Sequence, residues 1–246
     1  MKMIEQFKRA LTIAKKDLAI YYLRGPVMIQ GLLIPAFLFI SFSFKRSAPL
    51  DFLIPGLLGM ALFFSVSAIT PVIAPWETKM RTFERLISSP ISLWAIILGD
   101  IIASVIFGLF INSFILLISF ILMGSEIISL SLIIGMVIAA FCFSTLGILI
   151  SASPTDNPSD IMLLATLIKF PLIFISGVFV PITEMGKFKF LSFFSPLTYY
   201  TDLVRHSVQG TSQFSPFINL IVTLGFALIF FVIAVKWHER SLEKRF

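Results

Sequence analysis

Charge is what this 246-residue sequence has least of: Asp, Glu, Lys and Arg make up 13% of it, against about 25% in an average soluble domain. Hydrophobic residues supply 58% and the mean hydropathy is +1.00, which excludes an ordinary soluble domain and points to a polytopic membrane protein. A single cysteine, Cys142 inside an apolar run, excludes an intrachain disulfide and leaves the redox compartment unread. The two histidines, His206 and His238, fall on opposite sides of the membrane in the topology derived below, so no metal site is expected. The sequence has no G-x-x-x-x-G-K-[ST] run, so a phosphate-cradling loop is excluded and ATP cannot be hydrolysed by this chain through one. It also has no HExxH and no pair of intramembrane carboxylates, the groups an intramembrane enzyme acting on lipids would need. Internal repeats and low-complexity tracts are absent too.

What is present is length of apolar run. A spanning helix needs about 20 apolar residues, and six segments qualify: Pro26–Phe44, Leu50–Trp76, Ile101–Met123, Ile127–Ala152, Ile161–Pro181 and Phe214–Val235. The expected fold is all-α and integral to the membrane, one transmembrane domain over 1–246 with six transmembrane helices. Six spans put both termini on one side. One set of flanks holds thirteen Lys and Arg, among them Lys8, Arg9, Lys15, Lys16, Arg24, Arg81, Arg85, Lys236 and Arg240. The other holds five: Lys45, Arg46, Lys187, Lys189 and Arg205. The positive-inside rule therefore places both termini in the cytoplasm, with the chain multi-pass in a plasma or inner membrane. The net charge of +6 sits mostly in these flanks, favouring anionic headgroups of the bilayer as partners over nucleic acid. The basic N-terminus resembles a signal peptide, but its lead-in is too long and no small-x-small site follows, so it is expected to stay uncleaved.

Three shorter pieces complete the architecture. Residues 2–24 carry Ile4, Phe7, Leu11, Ala14, Leu18 and Tyr21 at spacings of three and four, with Lys8, Arg9, Lys15, Lys16 and Asp17 largely elsewhere. That pattern predicts an amphipathic helix lying in the membrane interface. The loop from Trp76 to Ser92 predicts a short cytoplasmic helix, placed over 77–88, with Met80, Phe83, Leu86 and Ile87 on one side, suited to a groove on another protein. Between the fifth and sixth spans, 182–210 predicts a re-entrant outer helical hairpin: an apolar helix carries Gly177, meets Pro181, turns through Glu184, and restarts at Ser195-Pro196. Backbone at membrane depth must be hydrogen-bonded within protein, so such a device forms a functional mouth. Ser89-Pro90, Ser195-Pro196, Ser215-Pro216 and Asn157-Pro158 each read as an N-cap followed by proline at the first helical position.

Taken together, these segments resemble the permeases of ATP-binding-cassette transporters of the type-2 exporter class, over nearly the whole chain. Asp51-Phe-Leu-Ile-Pro55-Gly56-Leu57-Leu58 is similar to that family's opening of the second span. Thr82-Phe83-Glu84-Arg85-Leu86-Ile87-Ser-Ser-Pro90 resembles its cytoplasmic coupling segment. Ser176-Gly177-Val-Phe-Val-Pro181 and Ser195-Pro196-Leu-Thr-Tyr199, with Arg205 and Gly210, resemble its fifth-span exit and outer hairpin. The chain departs from the family pattern at Arg81, where glycine is usual, at Asp100, where lysine is common, and between Pro181 and Leu191, where a proline-tryptophan spacing is missing.

The resemblance implies half of an export pathway, paired with a second permease copy or paralogue and with a separate ATPase subunit that holds ATP and magnesium. This chain itself is expected to bind no cofactor. Thr82 to Ile87 would couple to the ATPase, while Gly177, Pro181, Glu184, Pro196, Tyr199 and Arg205 would form the outer gate. The class is associated with drugs, lipids, polysaccharides and ions. The alternative is a subunit of an ATP-independent channel or secondary transporter.

One residue stands apart. Lys169 lies about 13 Å along its helix from Asp160, near mid-membrane, where a charge costs about 2.5–3.5 kcal/mol. No carboxylate sits at similar depth, and Asn112 is the nearest polar candidate. Lys169 reads either as an anchor for an anionic substrate group or the partner permease, or as a lysine that snorkels. Asp202 and Arg205, three apart, read as a surface ion pair.

Overall fold

The computed structural model describes residues 3–43, 50–124, 128–153, 155 and 157–243. The helices are α1 (Met3–Asp17), α2 (Gly25–Ser43), α3 (Leu50–Val66), α4 (Thr70–Lys79), α5 (Thr82–Ile87), α6 (Leu93–Met123), α7 (Leu130–Ser151), α8 (Pro158–Ile175), α9 (Lys189–Ser192), α10 (Pro196–Gln209) and α11 (Pro216–Glu243). Among the described residues there is no strand. Among the described residues, five units are long and apolar enough to cross a membrane: Leu50–Lys79, Leu93–Ile121, Leu130–Ser151, Pro158–Ile175 and Pro216–Ser241. A sixth is counted when Met3–Tyr22 and Val27–Phe37, which meet at 88°, are taken together. Of the expected first span, Phe44 lies outside the described residues, as do Lys2, Lys45 and Arg46.

The second span forms the centre. Nearly every side chain of α3 from Ile54 to Val66 is buried, and α2, α6, α7 and α10 all pack on it. It is two helices rather than one, broken at 67–69. Pro71 is the cause: it has no N–H for the carbonyl four residues earlier, and its ring crowds that carbonyl. The carbonyl in question is Ser67, and it accepts from the Lys169 ammonium of α8. Pro55 acts likewise inside α3, and the carbonyl of Asp51 accepts from the Gln209 amide of α10 at 3.1 Å. In a medium without water, a proline-freed carbonyl must find a donor inside the protein. Hydroxyls follow the same rule: Ser65 donates to Ala61, Thr70 to Val66 and Thr223 to Asn219, each at 2.6–2.7 Å.

Several element boundaries differ from the sequence expectation. The third span begins at Leu93, eight residues before Ile101, and its N-cap is Ser92 in extended backbone. Ser89-Pro90 therefore starts no helix. Ser92 offers both its N–H and its hydroxyl to the Gln6 side chain, at 2.9 and 3.0 Å, which fixes the restart there. At 31 residues, α6 is about 46 Å long and exceeds the hydrocarbon thickness. The fifth span ends at Ile175, because Gly177 takes φ +78°, a left-handed conformation that stops a helix. The caps at Asn157, Ser195 and Ser215 stand where expected: α8, α10 and α11 start at Pro158, Pro196 and Pro216.

The first helix also packs differently. Ile4, Phe7 and Leu11 are exposed, while Gln6, Ala10, Ile13, Ala14 and Asp17 are buried. The buried stripe lies against α6, where a side chain at Gly99 would come within 2.7 Å of Ile13 and 2.8 Å of the Ala10 carbonyl. Close approach thus requires glycine on one side and small residues on the other. After Asp17 a wider turn, Leu18–Tyr22, carries Tyr22 into the core, where it bonds the Thr70 hydroxyl at 2.9 Å and lies 5.2 Å from the Phe107 ring.

Candidate functional site

At one end of the α3–α4 rod sits α5, three residues beyond α4. The turn between them places Arg81 at φ +54°, where a side chain is disfavoured by about 1–2 kcal/mol and glycine fits best. The Thr82 hydroxyl closes the turn on the Glu77 carbonyl at 3.1 Å. Phe83 points inward: it is 5% exposed and packs with Ile13 of α1 and Ile96 of α6, supported by Leu86, Ile87 and Ile91. The expected apolar docking side is therefore divided. Phe83 pins α5 to its own bundle, Leu86 and Ile87 are half-buried, and Met80, at 71% exposure, faces outward together with Thr82, Glu84 and Arg85. The expected helix over 77–88 is shorter in fact, since Glu77 to Lys79 form the last turn of α4.

Behind α5 lies a charge cluster that periodicity did not reveal. Lys16 of α1 ion-pairs with Asp17 at 3.0 Å and with Glu77 of α4. The Tyr21 hydroxyl donates to Glu77 at 3.4 Å. Burial lowers the Lys16 ammonium, but the carboxylates of Asp17, Glu77 and Asp100 outweigh it and hold the group above its ordinary value. Burial, with the nearby Glu77 charge adding to it, pushes the Tyr21 hydroxyl up to about 12. Asp17, assigned by its spacing to the polar face, has no exposed surface. The available signal was the unusual acid at Asp100, one helix away from a lysine.

In mid-bundle, Lys169 and Asn112 have separate partners. Lys169 is buried and bonds the Ser67 carbonyl at the break in the second span. Asn112 has no exposed surface and donates to the Tyr200 hydroxyl at 3.1 Å and to Met136 Sδ at 3.2 Å.

At the other end, α10 and the turns before it are held by side chains that terminate on backbone. Asp202 accepts from the N–H of Gln213 at 2.8 Å, the N–H of Phe214 at 3.0 Å and the Asn219 amide at 2.9 Å. Arg205, three residues on, donates to the Gly177 carbonyl at 3.1 Å and lies 5.9 Å from the Phe52 ring centre. Both are buried, so the expected surface ion pair is replaced by two independent anchors. Burial draws the Arg205 guanidinium below its ordinary value, against the opposing pull of Asp202 and Glu184. The Ser195 hydroxyl, just ahead of Pro196, bonds the Leu172 carbonyl at 3.1 Å, and Tyr199 bonds the Phe193 carbonyl at 3.0 Å. Pro181 and Arg205 both line a cavity of about 230 Å³, together with Thr183, Asp202, Gln209 and Ser212. Glu184 stands exposed on the turn beside it.

The family model for the ABC-2 type transporter matches residues 7–208. The inner membrane transport permease YadH of Escherichia coli strain K12 is similar, at 27% identity over 187 residues that cover 74% of this chain and 70% of the relative. The protein of the same description from Shigella flexneri matches to the same extent.

Proposed function

The chain belongs to the ABC-2 type transporter family, a transport permease that crosses the membrane several times, and from that premise we propose that it is the membrane subunit of an ATP-driven exporter. It would form half of the pathway, beside a second permease copy or paralogue, with both termini cytoplasmic as the Lys and Arg distribution favours. A separate ATP-binding-cassette ATPase would dock on the outward face of α5. The single observation that carries this reading is the division of α5. Phe83 fixes the helix to α1 and α6, while Met80, Thr82, Glu84 and Arg85 stay exposed. A docking element needs both properties: a rigid root and a free face.

ATP binding in the partner would push on α5, and α5 is three residues from α4. The break at 67–69 lets α4 tilt as a unit while α3 stays held by α10. Lys169 sits at that fulcrum on the Ser67 carbonyl. The ATPase must favour one tilt over the other to shift the population of inward and outward states. At the far end, Gly177, Pro181, Glu184, Pro196, Tyr199 and Arg205 would form the outer gate. The test is co-purification of the tagged chain from gently solubilised membranes with an ATPase assay of the eluate. Recovery of ATP hydrolysis with the native chain, lost in Met80→Asp combined with Arg85→Glu, supports the reading; a chain that elutes without ATPase activity overturns it.

A further inference from the structure

The two buried charges of α10 are satisfied unequally. Asp202 is saturated: its carboxylate oxygens accept from the N–H groups of Gln213 and Phe214 and from the Asn219 amide. Arg205 is not. A guanidinium carries five N–H donors, and among the described residues only Nη2 has an acceptor, the Gly177 carbonyl. Nε is buried without a partner, and among the described residues no carboxylate forms an ion pair with the group. Buried charges are ordinarily paired and hydrogen-bonded. Arg205 also forms part of the wall of the cavity of about 230 Å³, and that wall brings more donors. Thr183 and Thr211 stand exposed there with their hydroxyls. Lys189 donates to Gln213 Oε1 at 2.9 Å, so the Gln213 amide has only its NH2 end left to offer. The space is smaller than the roughly 300–1,000 Å³ of sites for drug-sized ligands. It suits one small group rich in acceptors.

We propose that this cavity holds the phosphate group of a membrane phospholipid, with the Arg205 guanidinium as its main donor and Thr183, Thr211 and Gln213 beside it. The planar fork of a guanidinium matches phosphate oxygens, and such charge-assisted bonds are the strong ones. The neighbouring turns identify a lipid as the source. Phe188, Phe190 and Phe194 expose their rings, and Lys187 and Lys189 are interleaved with them. Exposed rings alternating with basic residues characterise a segment at the boundary of acyl chains and headgroups, which is the depth of lipid phosphates. Glu184, exposed on the turn, opposes an anion, and the two lysines offset it. A lipid held in this way ties the turns before α10 to the bilayer. The assignment gives the site read above as an outer gate a ligand class, and it rests on the membrane setting of the chain, not on ATP coupling.

Equilibrium binding of dihexanoyl phosphatidylglycerol to the full chain in detergent tests the proposal. Dihexanoylglycerol supplies the lipid without the phosphate, and inorganic phosphate the reverse. Saturable binding is expected for the phospholipid and not for dihexanoylglycerol, with inorganic phosphate displacing the phospholipid only at much higher concentration. Arg205→Gln keeps an N–H for the Gly177 carbonyl and should weaken binding about tenfold or more, the loss of a charge-assisted hydrogen bond. Thr183→Val combined with Thr211→Val alters exposed positions, should leave the melting temperature unchanged, and should weaken binding about fivefold. That pair keeps the site testable if Arg205→Gln fails to fold. Absence of saturable binding, equal binding of dihexanoylglycerol, or native affinity in the threonine pair overturns the phosphate site. Inorganic phosphate that binds as tightly as the phospholipid overturns the lipid as its source. No readout involves the ATPase, so failure here is distinct from failure of the exporter reading.

Discussion

The two ends of the second span are fastened by different chemistry. At the α10 end, charged and polar side chains terminate on backbone: Asp202 on the N–H groups of Gln213 and Phe214, Arg205 on the Gly177 carbonyl, Gln209 on the Asp51 carbonyl. At the α5 end, charged side chains terminate on one another, Lys16 on Asp17 and Glu77, and one aromatic ring, Phe83, roots α5. Backbone anchors fix the path of the chain, since the groups they satisfy cannot be moved without orphaning them. Side-chain ion pairs can exchange partners. The contrast fits the proposed transport cycle, in which the α10 end would serve as a frame and the α5 end would shift.

Substitutions can break that contrast in graded steps. Asp202→Ala should be the most damaging, about 3–5 kcal/mol, because it strands three donors together, the buried Asn219 amide and the half-buried N–H groups of Gln213 and Phe214. The melting temperature of the detergent-solubilised protein reads it directly, and a loss no larger than that of an exposed-site control would refute the frame. Phe83→Ala should cost about 3 kcal/mol, felt mainly as loosening of α5. Hydrogen exchange should rise in 80–92 and remain low in α10. Lys169→Met should cost about 2 kcal/mol by orphaning the Ser67 carbonyl, and should impair transport while assembly with partners survives. Unchanged transport would remove Lys169 from the fulcrum. Arg81→Gly should gain about 0.5 kcal/mol, the relief of a left-handed arginine partly offset by the greater freedom of glycine in the unfolded chain. A destabilisation there would mean that the arginine side chain makes a contact of its own. Arg85→Glu should leave stability within about 0.5 kcal/mol and act only on the ATPase.

Run length alone was enough to locate the five membrane-crossing units from Leu50 onward, because apolar stretches of this size have few other uses. It could not show how those units are held. Lys169 lacked a true partner while only side chains, carboxylates and Asn112, were considered. Its partner is a carbonyl, and the readable sign of it is Pro71, four residues after Ser67. The inward face of α1 was hidden for a related reason. Ile4, Phe7 and Leu11 are its most apolar residues, but close packing on Gly99 selects the smaller stripe through Ala10 and Ala14, which carries Asp17 inward. Spacing on α5 grouped Met80 with Phe83, although only the tertiary neighbours Ile13 and Ile96 decide which of them is buried. Arg205 and Asp202 are three apart and could have paired. Nothing local announces that backbone from the turn after α8 and from the loop before α11 would claim them first. Where the resemblance singled out a glycine replaced by arginine, at position 81, the reason is local and legible: the turn needs positive φ.

If α5 is the seat of the ATPase, site-specific photocrosslinking in intact membranes will show it. A photoreactive residue would replace Arg85 on the exposed face of α5, and in a second sample Phe194, 68% exposed, between α9 and α10. The account predicts an ATP-hydrolysing polypeptide joined to the chain from position 85 and none from position 194. Capture from 194, or none from 85 in a sample whose ATPase is demonstrably present, would contradict it.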